Sequence, residues 1–155
     1  MDRRKNLLQR LDRAWREFLE SYAGLPEAEL LEPNVIGAWS VKDIIAHLTS
    51  WEEEALKHLQ VIAEGRRPPR YSLTHGGIDA FNAQTMERRK ALSLAEALKQ
   101  QMAVHKQLIA LVEDAVEDQL GSGTRFQRRL RLDTYGHYAK HVKAIRSWRA
   151  RRFSG

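Results

Sequence analysis

Asp133-Thr134-Tyr135-Gly136-His137-Tyr138-Ala139-Lys140-His141 puts two imidazoles four residues apart near the end of a 155-residue chain. A helix turns once in about 3.6 residues, so His137 and His141 share a face and can close a chelate on one divalent metal. Tyr138, Val142, Ile145 and Trp148 make an apolar stripe on the same segment, with His141 between them on the inward side. Two readings are open at this point. The pair ligates a metal, or the rings are satisfied core histidines, which explains one of them more easily than both. A metal would need a third ligand from elsewhere in the chain.

Three further segments carry helical periodicity. Leu7, Leu8, Leu11, Trp15, Phe18, Leu19 and Tyr22 recur at three- and four-residue steps until Gly24 and Pro26 end the pattern. Leu25 to Ile36 reads as a connecting loop around a helical turn at Glu27 to Leu31. Ser40 is an N-cap with Asp43 three residues on, as in a capping box, and Trp39 precedes it as a staple for Ile44. The stripe then runs through Ile44, Leu48, Trp51, Ala55, Leu59 and Ile62, with His47 beside it. Ser93 caps a third long helix whose inward stripe is Ala95, Leu98, Met102, His105, Ile109 and Val112. Arg66 to Gly77 is a loop long enough to border a pocket, followed by a short helix presenting Ile78, Phe81, Asn82, Thr85 and Met86. Phe126 to Leu132 alternates apolar and basic residues and reads as an extended lead-in to the last helix. The expected fold is all-α, a single-domain four-helix bundle with helices near 2–22, 40–64, 94–117 and 134–151 and a short extra helix near 77–90.

Composition narrows the chemistry. The absence of cysteine excludes disulfides, thiolate zinc sites and a cysteine nucleophile, leaving histidine, carboxylate and water as metal ligands. No apolar run approaches the roughly 18 residues of a membrane span, and the start has no signal-peptide segment, so a cytoplasmic protein without membrane attachment is expected. The net charge of +6 is concentrated at Arg66 to Arg70, Arg125 to Arg131 and Arg146 to Arg152. With no zinc finger, RNP-type aromatic pattern or helix-turn-helix alongside, these runs predict no specific nucleic-acid partner. A solvated basic face or attraction to an anionic small molecule accounts for them.

Trp39-Ser40-Val41-Lys42-Asp43-Ile44-Ile45-Ala46-His47-Leu48 followed by Trp51-Glu52 resembles the signature of the DinB/YfiT-like superfamily of metal-binding four-helix proteins. The stretch from Asp133 to His141, followed by Ile145 and Trp148, resembles the matching late signature. Ile78-Asp79-Ala80-Phe81-Asn82, with Arg88-Arg89 and Ser93 after it, is similar to the middle of the ClbS/DfsB-like branch. The resemblance implies a divalent metal, zinc or nickel, held by His47, His137 and His141. It also implies a homodimer, and a substrate class of small electrophilic or toxic metabolites handled by hydrolysis or with a low-molecular-weight thiol.

Three neutral imidazoles leave a metal its charge and room for water or substrate, as in catalytic sites. The other residues each carry two readings. His105 is a pocket base, a fourth ligand or a hydrogen-bonded core residue. His75 lines the pocket entrance or is a solvated loop residue, and His58, about 16 Å along the helix from His47, cannot share the metal. Asp43 and Asp133 each stand four residues before a histidine, either to orient its ring or simply to cap a helix. Asn82 offers its amide to substrate or braces a loop. Trp39, Trp51 and Tyr138 read as packing residues before substrate platforms. The rival to an enzyme is a non-catalytic metal- or ligand-binding bundle of the stress response.

Overall fold

A computed structural model describes residues 2–153, and among these residues the structure is helical throughout, without a named strand. Four long helices, α1 (Arg3–Ser21), α3 (Val41–Ala63), α6 (Leu94–Asp114) and α8 (Tyr135–Phe153), carry the architecture. Four shorter ones connect them: α2 (Glu27–Leu30), α4 (Tyr71–Thr74), α5 (Ile78–Arg89) and α7 (Arg125–Asp133). α3 packs on α6 and α7, α1 on α8 and α6, and α5 covers one side of α3.

The helix starts are chemically marked. Ser40 accepts from the Asp43 backbone N–H while Asp43 Oδ2 accepts from the Ser40 N–H at 2.9 Å, a complete capping box, and Ser93 and Glu96 repeat it on α6. Such a cap satisfies donors that the helix leaves unpaired, typically worth about 1 kcal/mol. One hydrophobic cluster then joins Leu11, Phe18, Ile44, Leu48, Leu59, Leu108, Leu130, Tyr138 and Ile145 from α1, α3, α6, α7 and α8.

Three local expectations are corrected. Phe126 to Leu132 is not extended: Thr124 Oγ1 accepts from the Gln127 N–H, and Phe126, Leu130 and Asp133 share the buried face of α7. The buried stripe of α6 is Leu94, Ala97, Gln101, His105, Leu108 and Val112, with Ala95 and Met102 facing solvent. That helix also stops at Asp114, because Ala115 turns extended and Arg4 Nη2 donates to its carbonyl at 2.5 Å.

α7 and α8 meet at Thr134, whose φ of −128° and ψ of −101° break the helix. The turn is tight. A Cβ on Gly136 would lie 2.7 Å from the Arg131 carbonyl oxygen, a contact that only glycine avoids. This kink points the first turn of α8 at the first turns of α3.

Candidate metal centre

His47 lies on the second turn of α3, and His137 and His141 lie on the first two turns of α8. Packing of α3 against α8 brings these turns to the same end of the bundle. His47 Nε2 is 3.2 Å from His137 Nε2, which is 3.1 Å from His141 Nε2, and the ligand atoms of all three lie within 4.8 Å of one another. Metal–nitrogen bonds of about 2.0–2.1 Å at a tetrahedral angle separate two nitrogens by about 3.3 Å, so the observed spacing fits a common ligand.

Electrostatics favour the same assignment. Burial, followed by the neighbouring His137 and His141 rings, pushes His47 down to about 2. Burial and then Lys140 lower His137 to about 4, and burial, His137 and Lys140 lower His141 to about 3. The rings are therefore neutral near neutral pH and each has a nitrogen lone pair to give. The Nδ1 atoms of His47 and His141 are buried without a hydrogen-bond partner.

Of the two readings of Asp43 and Asp133, no hydrogen bond to the histidine rings favours the orienting one. Asp43 spends Oδ2 on the Ser40 cap, and Asp133, 1% exposed, accepts from Arg129 Nε at 2.8 Å. His105 is likewise a core residue, stacked on Trp15 with ring centroids 3.7 Å apart and bonded through Nδ1 to Glu52 Oε1 at 3.2 Å. The same Glu52 oxygen accepts the hydroxyl of Tyr138 in a short bond. Asn82 turns its amide oxygen to the Trp51 indole N–H at 2.9 Å. The Trp39 ring lies 4.7 Å from that of His47 and also packs against the hydrophobic cluster that contains Ile44. His75 sits half-buried against Phe81 and Tyr71, away from the three histidines.

A cavity of about 260 Å³ opens beside His137, lined by Trp51, Tyr71, Ile78, Arg129, Leu132 and Asp133. At its polar end stands a cluster that the sequence reading did not assemble. Arg129 Nη2 donates to the Tyr71 hydroxyl at 3.0 Å and to His58 Nδ1 at 2.5 Å, and the Tyr71 hydroxyl donates to Glu54 Oε1 at 3.1 Å. Burial and the Arg129 charge lower His58 to about 4, which keeps Nδ1 an acceptor. Burial pushes Asp133 up to about 6 against the pull of Arg129, and burial with the Glu54 charge pushes the Tyr71 phenol up. The signal for this cluster was Thr124-x-x-Gln127 at the head of a Phe126/Leu130 helical spacing. Reading the segment as helix puts Arg129 and Asp133 one turn apart.

The sequence model of the DinB superfamily matches residues 10–143. A solved structure of an uncharacterised protein from Escherichia coli UTI89 is similar in fold, with a TM-score of 0.74 at 16% identity over 98% of this chain and 95% of that one. No curated protein matches the chain.

Proposed function

The chain belongs to the DinB superfamily, and from that premise we propose that it is a divalent-metal-dependent enzyme acting on a small electrophilic or toxic metabolite, by hydrolysis or by transfer to a low-molecular-weight thiol. The observation that carries this reading is the convergence of three neutral imidazoles beside a cavity that His137 itself lines. His47, His137 and His141 would hold the metal, zinc or nickel, since imidazole suits both and the choice falls to geometry and supply. Once bound, such an ion supplies Lewis acidity to polarise a carbonyl or to acidify water or a thiol.

The remaining work belongs to the chain. Trp51, Ile78 and Leu132 give the cavity apolar walls against which the carbon skeleton of a substrate can pack. Asn82 fixes the indole of Trp51 and so the shape of that wall. Ile78 to Asn82, Arg88-Arg89 and Ser93 support placing the protein in the ClbS/DfsB-like branch. The proposal treats the chain as one domain forming a cytoplasmic homodimer; no described helix is long and apolar enough to cross a membrane.

The test is turnover. Metal-loaded wild type and His47→Ala are assayed on a panel of electrophiles, with and without low-molecular-weight thiols. Turnover that requires metal and vanishes in the variant supports the enzyme. Metal binding with no turnover on any combination supports the stress-response binding bundle in its place.

A further inference from the structure

Arg129 stands where two hollows meet. It lines the cavity beside His137 and also an open cleft of about 610 Å³ bordered by Pro68, Tyr71 and Ile78. Its guanidinium is fixed along one edge: Nε is held by Asp133, and Nη2 by Tyr71 and His58. Nη1 has no partner among the described residues, and the Tyr71 ring lies 5.7 Å from the guanidinium carbon. An arginine braced in this way has already lost its rotamer freedom, so an anion meeting its unused edge need not bear that cost.

The surrounding charge is mostly positive. The hollows that Arg129 and His137 line carry five cationic side chains, Arg70, Arg128, Arg129, Arg131 and Lys140, against two acidic ones, Asp79 and Asp133, while the buried Glu54 is taken up by the Tyr71 hydroxyl and Lys57. Asp133 gives Oδ2 to the Nε edge of Arg129 and keeps Oδ1 buried without a hydrogen-bond partner, so it orients the guanidinium without covering Nη1. Between Arg129 and His137 the cavity wall is apolar.

We infer that Arg129 is the binding residue for a carboxylate, and that the site takes a small organic acid. Its carboxylate sits on Arg129, its stem lies along Trp51, Ile78 and Leu132, and its reacting group lies at the three histidines. The cavity that Arg129 and His137 share, about 260 Å³, has room for a small organic acid. This assignment rests on the metal-site reading for the reacting end only; the Arg129 end stands on its own geometry.

The test uses cobalt(II)-loaded protein and two thiols, 3-mercaptopropionate and 2-mercaptoethanol, followed by the thiolate-to-cobalt absorption band. Wild type is expected to bind the acid about tenfold more tightly than the alcohol, the scale of one charge-assisted hydrogen bond. The double variant Arg129→Met with Asp133→Asn removes both charges, so it leaves no buried ion unpaired and no change in net charge. It is expected to bind the two thiols equally, with Arg129→Lys as a milder companion that keeps the charge and loses the fork. Equal binding by wild type, or a preference that survives the double variant, overturns the carboxylate site and leaves the metal reading intact. Failure to bind cobalt overturns the metal reading. The carboxylate site is then decided by titrating 3-mercaptopropionate into metal-free protein and following the Trp51 indole N–H by NMR. A shift present in wild type and lost in the double variant supports the site, and no shift in wild type overturns it.

Discussion

The indole N–H of Trp51 donates to the amide oxygen of Asn82 at 2.9 Å, tying α3 to α5 across the wall of the cavity beside His137. Asn82→Ala leaves that donor, on the buried Trp51, without its partner. It is expected to cost about 1 kcal/mol, read as a lower urea midpoint at unchanged slope. An unchanged midpoint would mean that the bond does not hold the wall.

Gly136 is the steric hinge of the three-histidine cluster. Gly136→Ala forces a Cβ onto the Arg131 carbonyl, so the α7–α8 turn must open. The expected cost is about 1–3 kcal/mol, with metal affinity falling alongside because His137 is the next residue. Calorimetric melting of the metal-free variant and a zinc titration of the same sample check both halves.

Glu52 organises the core below the histidines. It is 1% exposed and accepts from Tyr138 and from the His105 ring, so Glu52→Ala removes the acceptor of two buried groups at once. A loss of about 3 kcal/mol is expected, whereas Glu52→Gln, which keeps an acceptor oxygen, should lose less. Equal losses in the two variants would show that the carboxylate charge, and not an acceptor oxygen of that shape, is what Tyr138 and His105 require.

Acid sensitivity separates His58 from Asp133. The folded value of His58, about 4, lies below its ordinary 6.5, so its contribution is complete above pH 6.5 and is lost as pH falls towards 4. Asp133 does the opposite: raised from 3.8 to about 6, it favours folding below pH 3.8 and loses that contribution as pH rises through 6. In metal-free protein, His58→Gln should flatten the rise in stability between pH 4.5 and 7, and Asp133→Asn should steepen it. Urea midpoints at the two pH values give the comparison.

The long helices were legible because capping residues and 3.6-residue stripes are local signals, as at Ser40/Asp43 and Ser93/Glu96. The three histidines were legible through spacing on one helix and through family resemblance for the other. α7 was missed because Arg128, Arg129 and Arg131 interrupt its apolar positions in the pattern of a strand, and the Thr124 cap decides between the two periods. Losing α7 also lost the Arg129–Asp133 pair, and with it the polar end of the cavity. The partners of Asp43 and His105 depend on packing between helices distant in sequence. The positions alone left both a cap and an orienting group open at Asp43, and a pocket base, a ligand and a core residue at His105.

The most direct test of the account is metal content. Untagged wild type and the double variant His137→Ala/His141→Ala are purified side by side and assayed by elemental analysis, then titrated with zinc and nickel after chelation. The account predicts about one divalent metal per chain in wild type, restored on titration and absent from the variant. Wild-type protein that carries no metal and binds neither ion would contradict it.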